Sequence, residues 1–415
     1  MTDRGLDLTS AQLAVWLGQY MRPESPAYNH GMTRLIEGPL DISRFEGSLR
    51  ATVDDTEALN FVFIRDGERV VQVDRVWPTR PLRIIDMRGE SDPLDTATQW
   101  CLRDLNTCVD LSRGPLFEQV LFTLGADRHL WYQRFHHILI DGLGEYFVAD
   151  QVARRYSAGS GGAGLDACGP LEHVVNDERG YLDSQQYRDD REFWLNRLTR
   201  RADAPVLSES SAIPSGLLHR KFGSVHVEPL NVVGRRAGGT WAHAAMAAVA
   251  LLVGRASGVD EVVLGVPVLP RPTDPSVAQI PSMRINLVAL PVPCHEELGL
   301  TAIIQAVVKE MRENRLHRRY PIERLKRDLY GRRLYGPVVN LMPYARDVEF
   351  AGCRTTTRNL ASGFKSLEDI AIHMFARTEQ RFELNVEANA DAYTEGAVGQ
   401  HFNQVLEIMK MRGEI

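Results

Sequence analysis

The stretch that most restricts the fold of this chain runs from His129 to Gly142, His-Leu-Trp-Tyr-Gln-Arg-Phe-His-His-Ile-Leu-Ile-Asp-Gly. Leu130–Phe135 are strand formers, and two adjacent histidines, His136 and His137, close the run. Three apolar residues follow, then Asp141 and Gly142. From Leu143 onward the apolar spacing turns helical, with Phe147, Val148, Val152 and Tyr156 on one face. A strand is therefore led into a helix through a short apolar turn. Neighbouring strand side chains point to opposite faces, so one histidine is expected to face a cleft and the other to pack inward. Asp141, four residues past His137, is placed to hold the turn in shape. Gly142 allows a positive φ or a close backbone approach. The helix N-terminus points back at the turn and favours partial negative charge there.

A histidine at a strand end is most often a satisfied core residue, and an Asp-Gly pair is most often only a turn. The full pattern His-His-x-x-x-Asp-Gly between strand and helix is more specific. It resembles the signature of the condensation domains of nonribosomal peptide synthetases, within the wider chloramphenicol-acetyltransferase-like superfamily. Flanking segments extend the resemblance over nearly the whole chain: Leu8–Trp16 with its Ala11-Gln12, Asp110–Leu116, Tyr181 to Trp194, Val262–Arg271, Pro281–Leu290 and Gly336–Pro343. The fold this implies is α/β, two chloramphenicol-acetyltransferase-like lobes in a V around a central tunnel, with the histidine motif at its floor. The Gly/Ser-rich stretch 157–169 reads as a flexible connector and the lobe boundary. That gives an N-terminal lobe over 1–165 carrying the motif and a C-terminal lobe over 166–415.

Composition narrows the function classes. At 415 residues the chain suits two lobes better than one core. Hydrophobic content of 44% and charged content of 25% describe a globular protein. A net charge of −6 argues against nucleic acid as the main partner. Five dispersed cysteines without a CxxC fit free thiols in a reducing compartment, and no histidine pair shows zinc-ligand spacing with them, so no metal is expected. The polar N-terminus lacks a signal peptide, and no apolar run approaches membrane-spanning length. A cytoplasmic protein without a membrane partner is expected.

Along the chain, helices are expected at Thr9/Ser10 onward with Leu13 and Trp16 on one face, over 41–55 with Phe45 and Leu49 inward, over 92–109, and over Gly239–Gly254, which is apolar on nearly every face. A hairpin is expected across Arg65–Glu68, and Phe117–Leu124 and Leu130–Phe135 read as consecutive antiparallel strands. Pro267 marks the strand over 262–271 as irregular or an edge there. In the C-terminal part, 336–343, 367–375 and 381–388 read as strands, and 395–411 as a closing amphipathic helix.

The resemblance implies peptide-bond formation between a carrier-bound acyl or peptidyl thioester donor and a carrier-bound aminoacyl acceptor. The partners are then donor and acceptor peptidyl carrier proteins, with an adenylation domain adjacent in the native synthetase. The domain holds no cofactor itself; its substrates ride on the carriers' phosphopantetheine. By the family's pattern His137 is catalytic, as base or hydrogen-bond donor, and the Gly142 N–H is an oxyanion contact. His136 and Asp141 are assigned to the architecture of the site. Asn286 and Asn340 are candidates for ordering substrate, each with a structural alternative. Where the family has an arginine that pairs with the motif aspartate, this chain has Asn60. Arg284, on the same extended face as Asn286, is the expected substitute partner of Asp141.

Gly144 stands where many elongation domains place a serine, and the helix after the motif resembles starter and enterobactin-type members. With the short lead before Leu8, this suggests a domain receiving an acyl donor. The alternatives are an epimerisation-type domain, whose added Glu-Gly-His-Gly-Arg-type stretch has no match here, and a catalytically silent docking module, which usually degrades the histidine motif. A plant-type coenzyme A acyltransferase would need a late Asp-Phe-Gly-Trp-Gly; Ser362-Gly-Phe-Lys does not match it. Heterocyclisation would replace the motif with Asp-x-x-x-x-Asp.

Overall fold

A computed structural model describes residues 5–75, 82–159, 168–208, 218–272, 274–295, 297–342, 347–363, 369–376, 378 and 380–410. In chain order the elements begin with β1 (Leu6–Asp7), α1 (Ser10–Met21), β2 (Asn29–Glu37), α2 (Ile42–Asp55), β3 (Phe61–Asp66), β4 (Arg69–Asp74), β5 (Arg83–Asp86), α3 (Pro93–Leu105), β6 (Phe117–Gly125), β7 (Arg128–His136) and α4 (Gly142–Ala158). There follow α5 (Leu171–Leu182), α6 (Gln185–Leu198), β8 (Leu218–His226), α7 (Val227–Arg236), α8 (Trp241–Ser257), β9 (Glu261–Val268), α9 (Pro275–Ala278) and β10 (Asn286–Pro293). The last are α10 (Leu300–Leu316), α11 (Ile322–Asp328), β11 (Val338–Met342), β12 (Arg354–Ser362), β13 (Ile370–Ala376), β14 (Arg381–Asn389) and α12 (Glu395–Lys410).

The chain divides into two compact units, and the division differs from a simple cut in the connector. Unit 1 is Met1–Gly180 with Arg271–Arg284 and Asp347–Phe364; unit 2 is Tyr181–Pro270, Ile285–Arg346 and Lys365–Ile415. The boundary expected at 165/166 lies outside the described residues. The division itself falls inside α5, and two late segments belong with the N-terminal unit because they complete its sheet and brace its motif turn. No single helix among the described residues is long and apolar enough to cross a membrane.

Unit 1 is built on a five-stranded sheet in the order β12-β2-β7-β6-β5, with a smaller sheet β1-β4-β3 beside it. One face of the larger sheet packs Ile36, Leu121 and Trp131 against Phe45 and Leu49 of α2 and Val152 and Tyr156 of α4. The other packs Val120, Phe122, Leu130 and Tyr132 against Ala97, Cys101 and Leu105 of α3. Because helices cover both faces, β7 is buried on both, and its sequence has no polar alternation. Its two mid-strand polar residues are paired. Gln133 accepts from Arg34, which also meets Glu145 of α4 at 2.6 Å, and Arg134 meets Asp104 of α3 at 2.7 Å. The β3–β4 hairpin turns at Gly67, φ +62°. Helix α2 buries Phe45 and Leu49 as its spacing predicts.

Helix α1 departs from its apolar reading. Its buried face is Gln12, Val15 and Gln19, while Leu13 is 40% exposed. The two glutamines are buried because they hold the motif, as described below.

Unit 2 is a six-stranded sheet, β10-β9-β11-β13-β14-β8. Helix α8 is buried continuously from Ala244 to Gly254. Strand β9 is not an edge: it pairs with β10 along its length and with β11 at Gly265. The Gly265 N–H reaches the Pro337 carbonyl, so the missing N–H of Pro267, two residues on, falls where β11 no longer pairs.

Candidate active site

Strand β7 ends at His136, and His137 opens the turn that leads into α4. Three backbone bonds place the turn: His136 N–H to Leu116 O (2.8 Å), His137 N–H to Tyr28 O (2.7 Å) and Asp141 N–H to Ser282 O (3.2 Å). The glutamines of α1, seven positions apart and so on one helix face, grip it from the side. Gln12 Nε2 donates to Ile138 O at 3.2 Å, and Gln19 Oε1 lies 3.2 Å from His136 Nε2. Ala11-Gln12 is a motif in the sequence, and only the fold shows that its glutamine clamps the histidine turn.

Both histidines are buried, 1% and 4% exposed, so the expected contrast between them shows in their neighbours and not in exposure. The His136 ring is fixed by Gln19 and accepts the Ile138 N–H at 3.3 Å. Burial first, then His137 and Arg134, push its pKa down to about 3. The His137 ring lies beside His30, centroids 4.9 Å apart. Burial lowers its pKa too, and the Asp141 carboxylate opposes the shift. His30, the second residue of β2, pairs across the ladder with Phe135. Burial, with His137 and His136, holds its pKa well below the ordinary histidine value. Sequence reasoning missed His30, since only the β2–β7 register brings it to the motif.

Asp141 is the N-cap of α4 and accepts the Gly144 N–H at 2.8 Å. Its expected ion-pair partner is corrected. Arg271, not Arg284, brings its guanidinium to the Asp141 carboxylate, at 2.7 Å. Arg284 offers its backbone N–H, at 3.2 Å, while its guanidinium donates to Ser282 Oγ and the Val277 carbonyl. Arg271 also donates to the carbonyls of Ala278 and Ile280, which ties segment 271–284 to the motif. Asn60, where the family's arginine would stand, donates instead to Val53 O at the end of α2.

Gly142 is the first residue of α4 and has a helical backbone, not a positive φ. Its N–H belongs to the first turn, whose donors have no intrahelical acceptor. Gly144 is small for a reason: a Cβ there would lie 3.2 Å from Ser282 N and 3.4 Å from Pro281 Cα. Gly363, just past β12, has φ +69°, and a Cβ on it would come within 2.5 Å of His137 Cδ2. No sequence signal marked it.

The two asparagines lie in unit 2. The Asn286 amide donates to the carbonyls of Arg318 and Tyr320 and accepts the Ile322 N–H. Those bonds brace the loop before α11. Asn340 sits in β11 with its amide 3.2 Å from His373 Nδ1 of β13. Among the described residues no group of three or more His, Cys, Asp or Glu side chains is gathered as a metal site requires.

A histidine turn on a buried strand, capped by a helix, in a mixed α/β chain of two sheet-based units defines the class of chloramphenicol-acetyltransferase-like two-lobe proteins. The sequence profile of the Condensation domain family matches residues 3–412. The chain belongs to that family, the amide-bond-forming, acyltransferase-type domains of nonribosomal peptide synthetases. It is 35% identical over 98% of its length to a dimodular nonribosomal peptide synthase of Bacillus subtilis (strain 168), and 34% identical over 96% to an isonitrile lipopeptide synthase of Streptomyces coeruleorubidus. It spans 18% and 28% of the length of those two relatives. Among solved structures it resembles a mutant starter condensation domain of rhizomide synthetase in complex with C8-CoA and Leu-SNAC, with TM-score 0.91, 30% identity, and coverage of 98% of this chain and 93% of that one. The first condensation domain of the calcium-dependent antibiotic synthetase, in complex with a substrate analogue, matches with TM-score 0.89, 29% identity, and coverage of 99% and 96%.

Proposed function

We propose that this chain joins a carrier-bound acyl thioester to the free amine of a carrier-bound aminoacyl thioester, with His137 as the proton acceptor. The observation that carries the reading is the buried His137 ring at the start of the α4 turn. Burial keeps it neutral near pH 7, which suits a group that must take a proton. The amine lone pair attacks the thioester carbonyl, a C–N bond forms, and the carbonyl pair moves onto oxygen. The Gly142 N–H, a first-turn donor, is the oxyanion contact. One amine proton passes to His137; collapse expels the pantetheine thiolate, which takes that proton back. A thioester is already activated, so placing the amine in near-attack geometry supplies much of the remaining acceleration. Asp141 holds the turn and takes no proton.

The similarity to a starter domain bound to C8-CoA and Leu-SNAC supports an acyl donor and an aminoacyl acceptor. Phosphopantetheine then belongs to the donor and acceptor carrier proteins and not to this domain, an adenylation domain is the natural neighbour, and the cytoplasm is the compartment. The test loads donor and acceptor carriers with acyl and aminoacyl groups and follows them by intact-protein mass spectrometry. Condensed product on the acceptor carrier is expected. A docked complex without product would favour the silent recruitment module, and inversion of the acceptor's Cα without amide formation would favour epimerisation.

A further inference from the structure

We infer that His30 is the second hydrogen-bond acceptor of the reacting centre: its Nε2 takes the N–H that stays on the attacking nitrogen, while His137 takes the proton that leaves. This rests on the condensation reading above. An amine that attacks a thioester becomes a nitrogen with two N–H bonds and a positive charge. One proton departs, and the other remains as the amide N–H of the product. In a buried site both need an acceptor at the moment of attack, and a single imidazole offers only one lone pair.

The geometry supplies the second acceptor. His30, second in β2, lies opposite Phe135, stacks on that ring at 5.5 Å between centroids, and has its own ring 4.9 Å from His137. Its Nε2 is buried and has no hydrogen-bond partner in the described structure, and a buried polar atom is costly to leave unmet. Gly363 keeps both rings where they are. A Cβ there would lie 2.5 Å from His137 Cδ2 and 3.1 Å from His30 Cβ. Burial and the two neighbouring histidines hold His30 neutral, so with its proton on Nδ1 it presents a lone pair at Nε2.

The alternative is that His30 only fills space between Phe135 and His137. Three variants separate the two. His30→Phe keeps the ring and removes the nitrogens; His30→Gln places an amide group near the position of Nε2; His30→Asn reaches only as far as Nδ1. Each is assayed with C8-CoA as donor and Leu-SNAC as acceptor, beside wild type and His137→Ala, with circular dichroism as the folding control. The expected result is a kcat for His30→Phe lower by about tenfold or more, the scale of one lost hydrogen bond, at unchanged KM for the donor. His30→Gln should recover most of the loss and His30→Asn little. Wild-type kcat in His30→Phe, with His137→Ala inactive, overturns the role of His30 and leaves the condensation reading standing. If His30→Phe does not fold, equal rates for the Gln and Asn variants overturn it. An active His137→Ala, or no product from wild type with this pair or with carrier-loaded thioesters, overturns the underlying reading and this inference with it.

Discussion

Each unit buries a histidine near a carboxylate, and the two sites differ in what surrounds the ring. In unit 2, His373 lies in mid-strand on β13, flanked across the ladder by Asn340 and Asn385, with Glu387 at 3.7 Å. Strand neighbours on both sides confine it. In unit 1, His137 lies one residue past a strand, where the ladder has ended and the first turn of α4 presents backbone N–H groups. Gly363 packs so close to its ring that a Cβ there would lie 2.5 Å from His137 Cδ2. Both rings have pKa values lowered by burial. Burial and a carboxylate are therefore common to both rings; the strand end delivered to a helix start is what sets His137 apart.

The largest expected effect breaks the comparison directly. His137→Ala should lose condensation by about 10²–10⁴-fold, the span of general acid–base catalysis, with little change in stability. His373→Ala should do the reverse, lowering the denaturation midpoint while the folded fraction keeps its rate. Equal rate losses in the two variants would erase the distinction drawn between the units.

The Asp141–Arg271 pair comes next. Both side chains are buried, and removing one partner of such a pair costs about 3–5 kcal/mol. Asp141→Ala and Arg271→Ala should each destabilise on that scale, with the double variant little worse than either. Additive losses in the cycle, measured by urea denaturation, would mean that the carboxylate is held by the N–H groups of Gly144 and Arg284 alone.

Acid should separate the units with smaller amplitude. His30, His136 and His137 all have folded pKa values below the unfolded one, about 6.5. Between those values the unfolded chain binds more protons, so unit 1 loses stability as the pH falls through 6.5 toward the folded values, about 3 for His136. Unit 2 has three lowered histidines, of which His373 is fully buried and His243 and His401 half-buried, and they are opposed by Asp369, whose pKa burial raises to about 6. A raised carboxylate contributes stability that is present in acid and lost as the pH rises through about 6. Hydrogen exchange at pH 5 should therefore show protection falling first in β2 and β7, and later in β13 and β14. Simultaneous loss would contradict the assignment.

The smallest effect belongs to Gly144. Gly144→Ala presses on Ser282 and Pro281 and should cost about 1 kcal/mol by crowding, read as a shifted urea midpoint.

Much of this architecture was legible where local pattern decides it. The β7–turn–α4 unit, the β3–β4 hairpin, the inward face of α2 and the all-buried α8 follow from periodicity and turn residues alone. The elements that complete the site do not, because each depends on register or on a distant segment. Strand β12, Arg-Thr-Thr-Thr-Arg-Asn-Leu-Ala-Ser, has no apolar run to announce it, yet it pairs with β2 of unit 1 and delivers Gly363 to His137. Arg271 and Arg284 are both arginines of the same late segment. Which of them turns its guanidinium to Asp141 is set by backbone turns that sequence spacing does not encode. Asn286 shares an extended face with Arg284 in sequence, and only the fold shows that its amide closes the loop before α11. The polarity of Gln12 and Gln19 does not announce burial; they face inward, where they meet the histidine turn.

The central claim is that His137 performs proton transfer while the surrounding turn only holds it. Single-turnover condensation, with acyl-loaded donor carrier and aminoacyl-loaded acceptor carrier at saturating concentrations, measures the chemical step alone. The account predicts amide product from wild type at a rate that falls only in acid below the ordinary histidine range, as His137 with its lowered pKa is protonated, and at least a hundredfold less from a folded His137→Ala, the lower end of general-base effects. A folded His137→Ala that condenses at the wild-type rate, with the same pH dependence, would contradict it.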